Sequence, residues 1–451
     1  MSQESMNFYK RTLALVIPMA LQNLINVGIS SIDVVMLGKV GEKVLSGASL
    51  GAQVQFIMGL LLFGVTSGAA VLMAQYWGKR DMGSIETIFA IAVKIAFVAG
   101  VVFTLAAFIM PQVLMSFFTN DSEVMANGVL YLRVVCFSYI PNALVMVYLN
   151  SIRSMEKVGI GLVTYLFSLI TNIIVNALLI FGYFGFPKLG VIGAAAGTVA
   201  ARLVEFIIVI IYDRKFNDVF KFRFKSLRMK NKVLAGDFLK ISAPVIANEL
   251  MWGLGLSTMT AIFGHLGSAA TAANSVTQVC RNLATVVAFG VANAAAVLIG
   301  KVIGEGKKDL AKVYGGRFIK LSIGTGIFGS LVILCARPVI LSVLVLSDDA
   351  KKLLSVMILI MSYYVIAQSY NTTLIVGIFR GGGDTRFGFF LDFIFMWGIS
   401  ILAGAVAAFI LELPAIATAF ILYCDEVIKI PVSTWRYKTY KWLNDVTRTK
   451  T

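Results

Sequence analysis

Histidine is almost missing from this chain: His265 is the only one in 451 residues. Cysteine is nearly as rare, with Cys136, Cys280, Cys335 and Cys424 scattered through apolar stretches without paired spacing. No metal site can be assembled from one histidine and no clustered cysteine. The cysteine spacing supports no disulfide framework, so the four thiols are expected to be small buried hydrophobes. Charge is scarce too: 14% of residues are Asp, Glu, Lys or Arg, against about 25% in soluble domains. With 59% of residues hydrophobic, a water-soluble fold has nowhere to hide its apolar surface. Period-2 alternation is absent, which excludes a membrane barrel. The first apolar run follows Lys10-Arg11, is too long for a signal-peptide core and has no small-residue cleavage site. The turn Arg380-Gly381-Gly382-Gly383-Asp384-Thr385 lacks the Gly-Lys-Ser/Thr ending and preceding strand of a phosphate loop. It is expected to be a tight turn, and the chain to use no ATP and no cofactor.

What is present is a long internal repeat. Pro18, Gly38, Gly64-Val65, Val71 and Gly78 recur as Pro244, Gly264, Gly290-Val291, Val297 and Gly304, all at one constant offset in numbering. Further on the offset grows by one, linking Pro111 to Pro338 and Arg153 to Arg380. Two apolar half-proteins of this kind are the architecture of secondary transporters, whose sites lie at or within the repeats.

Apolar stretches long enough to cross a hydrocarbon core of about 30 Å fall at 12–37, 49–77, 85–110, 124–149, 159–182, 190–212, 241–263, 272–300, 315–337, 353–376, 387–410 and 412–434. Backbone groups inside a bilayer must be satisfied within the segment, so these are twelve helices. The expected fold is an all-α membrane protein of two six-helix halves: residues 1–213, a basic linker 214–240, and 241–451. With the N-terminus inside, the inner loops hold 26 Lys and Arg and the outer loops 6. That bias places both ends in the cytoplasm. It also explains the net charge of +16 without nucleic acid, for which no basic soluble domain exists. Gly64-x3-Gly68 and Gly193-x3-Gly197 are expected to let helices approach closely.

Polar groups inside a span are costly and mark interior faces. Gln22, Asn26, Ser30 and Asp33 form one stripe on the first span, and Ser168, Asn172 and Asn176 a second on the fifth. Asp33 is the only acid in its span; it suits a reversibly bound proton or Na⁺, or is simply wetted from outside. The fifth-span stripe suits an ion site or plain interhelical hydrogen bonding. Pro18, four residues before Gln22, removes a backbone hydrogen bond and is a candidate hinge. In the second half Glu249 and Trp252 share a face, a pairing that suits an organic cation; the competing reading is a salt bridge from Glu249 to Arg281. Arg281 lies on a stripe with Asn274, Gln278 and Asn282. Arg202 and Glu205 are spaced as an ion pair. Asp392, Asp425, Glu426 and Lys429 either pair with each other or hold an inner gate.

Three groups of these residues resemble the multidrug and toxic compound extrusion (MATE) family: Asn172-x3-Asn176 with Phe184–Thr198, Phe379–Thr385, and Pro18 with Asp33 and its repeat partner Pro244. The likeness runs over about residues 8–445. It implies two six-helix lobes in a V, alternating access, and export of cationic amphipathic compounds against inward Na⁺ or H⁺, by a monomer in the cell membrane. It also implies a cation site, for Na⁺ or H⁺, on Asp33, Asn172, Asn176 and Thr198. Gln22, Asn26, Glu249, Trp252, Gln278 and Arg281 are the candidate substrate contacts. Relatives with Asp at the position of Asn176 carry one more carboxylate, and the acid some branches have in the tenth span is replaced here by Gln368-Ser369-Tyr370-Asn371. The alternatives are a lipid-linked precursor flippase of related fold, which wants a strongly cationic cavity, and a major-facilitator transporter, whose loop signature Trp77–Gly83 matches only faintly. An enzyme is disfavoured because no catalytic constellation is in place.

Overall fold

The computed structural model describes residues 3–219, 231–343 and 346–448, and every regular element among them is helical. Eleven long helices follow one another: α1 Gln3–Gly38, α2 Glu42–Gly78, α3 Met82–Ile109, α4 Ser122–Ser154, α5 Gly159–Phe181, α6 Val191–Lys215, α7 Lys232–His265, α8 Ser268–Gly304, α9 Lys308–Val343, α10 Asp348–Phe379 and α11 Thr385–Phe409. The last apolar stretch is broken into α12 Ala415–Leu422 and α13 Asp425–Lys438. Among the described residues ten helices are long and apolar enough to cross a membrane; α7 and the α12–α13 pair fill the places of the seventh and twelfth expected spans. The all-α membrane fold is borne out. Of the basic stretch 214–240, residues 220–230 lie outside the described residues, and α7 begins already at Lys232.

Local chemistry sets the helix ends. Asp81 accepts the Ser84 N–H at the start of α3, and Asp121 those of Glu123 and Val124 at the start of α4. Such caps satisfy backbone donors left free in the first turn. The Val124 and Glu123 amides hold the Asp121 carboxyl below the usual carboxylate range. Gly182, at φ 76°, closes α5 in the left-handed conformation. Large apolar side chains such as Val98, Val102, Leu105 and Phe108 of α3 are exposed, as befits helices whose solvent is lipid.

The repeat is visible in the elements. Glu42 and Gly78 bound α2, and their repeat equivalents Ser268 and Gly304 bound α8. Met82, which starts α3, is likewise equivalent to Lys308, which starts α9. The helices α1 and α7 each contain the repeated proline, Pro18 or Pro244. Close packing divides the chain into two units. One comprises Leu21–Met73 and Asp81–Leu239; the other comprises Met1–Ala20, Ala74–Arg80 and Lys240–Thr451. The division within α1 falls two residues after Pro18.

In the second unit the ends of α2 and α8 cross through repeat-related residues. A Cβ on Gly78 would collide with the Lys301 carbonyl oxygen, and one on Gly304 would collide with the Gln75 carbonyl oxygen. Gln75 and Lys301 are themselves equivalent positions of the repeat, as are Gly78 and Gly304. The contact is therefore reciprocal, and only hydrogen fits at either glycine. The Gln75 side chain completes the crossing. Its Nε2 donates to the Gly381 and Asn444 carbonyls, and its Oε1 accepts the Val446 N–H. The glycine run at 381–383 is thus a tight turn, closed by Gly383 N–H to the Arg380 carbonyl at 2.8 Å.

Two helices depart from α geometry. Thr373–Phe379 in α10 and Phe393–Ile401 in α11 are π-helical. Such turns strain the ladder and recur at functional sites.

Candidate functional site

The unit built from Leu21–Met73 and Asp81–Leu239 brings α1, α5 and α6 together at Asp33. Asn172 and Asn176 lie one turn apart on α5, so both amides face the same way; both are fully buried. Asn176 Nδ2 donates to Asp33 Oδ1 at 2.6 Å and to Asn172 Oδ1 at 3.2 Å. Asn172 Nδ2 and Asn176 Oδ1 are left without partners although buried. Thr198 of α6 donates to its own helix at the Ala194 carbonyl, which leaves its oxygen able to accept. Gly197 makes the approach of α6 to α5 possible, since a Cβ there would collide with Asn176 Oδ1. Gly197→Ala is therefore expected to displace the Asn176 amide. Overpacking of this kind costs about 1–3 kcal/mol; a lowered melting temperature together with lost transport checks it.

The expected stripe on α1 is only partly interior. Gln22 is buried and Asn26 half-buried, but Ser30 is exposed and bonds the Asn26 carbonyl of its own helix. Both ends of the Gln22 amide are used: Nε2 donates to the Val158 carbonyl at 2.9 Å, and Oε1 accepts Arg153 Nη2 at 3.0 Å. Asn26 neighbours the Tyr165 hydroxyl. The Arg202–Glu205 pair forms as spaced, at 2.7 Å, with Glu205 fully buried. Its guanidinium also acts on Asp33 and on Tyr131, which stands beside Thr198. Sequence reasoning overlooked Tyr131, Tyr165 and Arg153. Tyrosines scattered through apolar spans carry no pattern, whereas Arg153 did carry a signal, the repeat offset to Arg380.

In the second unit the expected alternative for Glu249 is corrected. Its partner is Arg380, not Arg281: Arg380 Nη2 lies 2.6 Å from Glu249 Oε1. Arg380 occupies the repeat position of Arg153, and both arginines reach a residue 131 positions earlier, Glu249 and Gln22. Trp252 packs half-buried against the apolar core around Met396 and Tyr423. Gln278 Nε2 donates to the Tyr423 hydroxyl, which donates to Asn274 Oδ1. Arg281 is buried, bonds Asn282 Oδ1 at 3.3 Å, and leaves Nη1 unpartnered. The four charged residues near the end of the chain do pair with each other, around Lys429. Among the cysteines, Cys136 is buried but Cys335 is exposed, against expectation, because it lies on an outward face of α9. His265 ends α7, its Nδ1 3.0 Å from the Ala261 carbonyl.

The MatE family profile matches residues 18–178 and 244–406, one match in each repeat. The chain belongs to the MatE family. It is 24% identical over 435 residues to the probable multidrug resistance protein NorM of Rhizobium meliloti, covering 95% of this chain and 93% of that protein. The NorM of Thermotoga maritima is 22% identical, over 96% and 93% of the two chains. Among solved structures, a mutant of the Vibrio cholerae MATE transporter VcmN superposes with a TM-score of 0.88 at 14% identity, over 99% of both chains. A MATE protein solved in a bent and in a straight conformation gives TM-scores of 0.85 and 0.86 at 15% identity, over 96% of both chains in each case. The resemblance drawn from the sequence motifs is thus confirmed at the level of family and fold, and the chain is an integral membrane protein of a transporter family.

Proposed function

We propose that this MatE-family protein is a secondary active exporter that exchanges cationic amphipathic compounds for inward-moving Na⁺ or H⁺ by alternating access. The observation that carries the reading is the Asp33–Asn176–Asn172 cluster. A single carboxylate beside two buried amides, one of which leaves its oxygen without a donor, is charge-matched to one monovalent cation. The donor set is all oxygen: Asp33, Asn176 Oδ1, and the hydroxyls of Thr198 and Tyr131. Hard cations prefer such ligands, and a proton needs only the carboxylate.

Binding at Asp33 favours whichever conformation shapes the site best, and a transported compound shifts the balance only by its differential affinity for the two states. Pro18 breaks the hydrogen-bond ladder of α1 next to the point where the helix passes between units, which suits a hinge. The charge bias of the loops supports cytoplasmic termini. Among the candidate substrate contacts, Asn26 of the first unit is partly exposed and Gln22 is committed to Arg153; in the second unit Trp252 and Gln278 are partly exposed, and Glu249 is committed to Arg380.

Counter-transport in proteoliposomes tests the proposal. An ethidium-like cation is expected to move when ΔpNa or ΔpH is imposed alone, and the effective gradient identifies the coupling ion. Movement under neither gradient, in protein shown to be folded, rejects secondary active export.

A further inference from the structure

A second buried charged cluster lies outside the Asp33 site. Lys429 of α13 places Nζ 2.9 Å from Asp392 Oδ1 of α11, 2.9 Å from Glu426 Oε1 and 3.2 Å from Asp425 Oδ2. Lys429 and Asp425 are 2% exposed, and Glu426 7%. One ammonium thus faces three carboxylates. The neighbouring ion pair, Glu249 with Arg380, is neutral as a unit and offers no excess positive charge. Two uncompensated negative charges out of water are strongly disfavoured.

The hydrogen bonds distinguish the three acids. Asp392 has both oxygens engaged, Oδ1 by Lys429 and Oδ2 by Asn248 Nδ2 at 2.8 Å. Glu426 likewise has Oε1 engaged by Lys429 and Oε2 by Asn371 Nδ2 at 2.8 Å. Each oxygen receives an N–H, as an ionised, acceptor-only carboxylate requires. Asp425 differs. Its Oδ2 receives Lys429, but its Oδ1 is buried and has no partner. The Glu426 backbone amide adjoins the carboxyl without completing a hydrogen bond to Oδ1. A second buried acceptor beside the cluster also lacks a donor: Asn248, 4% exposed, points its amide at Asp392 and leaves Oδ1 unpaired. Two acceptors without a donor, in a group with excess negative charge, call for a small positive ligand that brings a hydrogen.

The surrounding backbone is built for change. Asp425 is the first residue of α13, just past the break after α12. Discontinuous membrane helices mark ion sites in transporters. The π-helical turn of α11 begins directly after Asp392, and that of α10 begins two residues after Asn371. The α13 N-terminus offsets part of the negative charge. Tyr364 and Tyr423 face Asp425 and also lie within range of Arg281, and the Cys424 thiol adjoins it. A metal ion fits poorly, because Lys429 Nζ already occupies the centre of the carboxylates and no metal-holding group exists among the described residues.

We propose that the Lys429 cluster is a second proton site of this protein, with Asp425 Oδ1 as the atom that takes up and releases the proton. The step adds one H⁺ from water to a carboxylate oxygen and needs no other reactant. It lowers the cluster's charge from two negative to one and supplies the missing hydrogen. The site is independent of the Asp33 reading.

Infrared difference spectroscopy of the full-length protein in liposomes, stepping from alkaline to neutral buffer at constant Na⁺, tests it. A protonated-carboxyl C=O band is expected in Asp33→Asn, where Asp33 cannot contribute, and its loss when Asp425→Asn is added. A band unchanged in that double variant overturns the proposal, as does one governed by Na⁺ at constant pH. If Asp425→Asn does not fold, aspartate labelled with ¹³C in the Asp33→Asn protein decides: a band that fails to shift is not an aspartic acid, and the site is rejected. Failure of the Asp33 reading would show instead as wild-type transport by Asp33→Asn, with this spectrum unaffected.

Discussion

Asp33→Asn is expected to reduce gradient-driven export to the level of empty liposomes while the protein still inserts and folds. The substitution keeps the shape of the side chain and an oxygen that can accept the Asn176 amide at the same position. It removes the negative charge and turns the other acceptor oxygen into an NH₂ donor. Asn172 and Asn176 hold each other on α5, so the packing of α5 against α6 does not depend on the carboxylate. What is lost is the sole group in this cluster able to neutralise a cation or carry a proton. Exporter flux under ΔpNa and ΔpH, with size-exclusion profile and melting temperature as controls, checks the expectation. Wild-type flux in the variant would remove Asp33 from the coupling site.

The second large effect is expected at the crossing of α2 and α8. Gly304→Leu places a branched side chain where even a Cβ would collide with the Gln75 carbonyl oxygen. The obstacle is backbone, which cannot rotate away as a flexible side chain can. Inserting methylenes into a packed core costs about 1–3 kcal/mol; here the two helix ends must separate instead. The variant is therefore expected to part these helix ends and to stop transport. The reporter is a cysteine pair at Ala74 and Gly300. The Ala74 Cβ lies 2.9 Å from where a Gly300 Cβ would be, so the helices must ease apart by several tenths of an ångström to reach the Cβ separation of a disulfide, about 3.5–4.5 Å. Ala74→Cys with Gly300→Cys is expected to cross-link on oxidation, and not to do so once Gly304→Leu is added. Equal cross-linking in both backgrounds would show that the crossing tolerates the side chain. Gly78→Leu, at the repeat-related position, is expected to act in the same way.

Much of the site was legible before any coordinates. The α5 stripe of Ser168, Asn172 and Asn176 has the helical spacing that predicted its burial, and all three are buried. Asp33 stood out as the only acid of its span and does meet Asn176. The same logic failed at Ser30, because period alone cannot say how wide the buried face of a helix is. It also failed for Glu249. Periodicity says that a buried acid needs a partner but not which helix supplies it; Arg281 was nearer in sequence, and Arg380 proved nearer in space. The repeat held the missing clue, since Arg153 and Arg380 are equivalent and each reaches back 131 residues to α1 or α7.

Composition, hydrophobic run length and the long internal repeat were enough to specify an all-helical membrane protein of two related halves, because a bilayer leaves the backbone almost no alternative. The twelve spans, the family and the amide stripes all follow from patterns local to the chain. Tertiary structure alone decided which arginine meets which acid, that Gly78 and Gly304 clasp each other's helices, and that Asp425 is the one carboxyl of its cluster with an oxygen left over. Each of these depends on atoms brought together from distant helices, and a partner's position in space is not written in the spacing of residues along the chain.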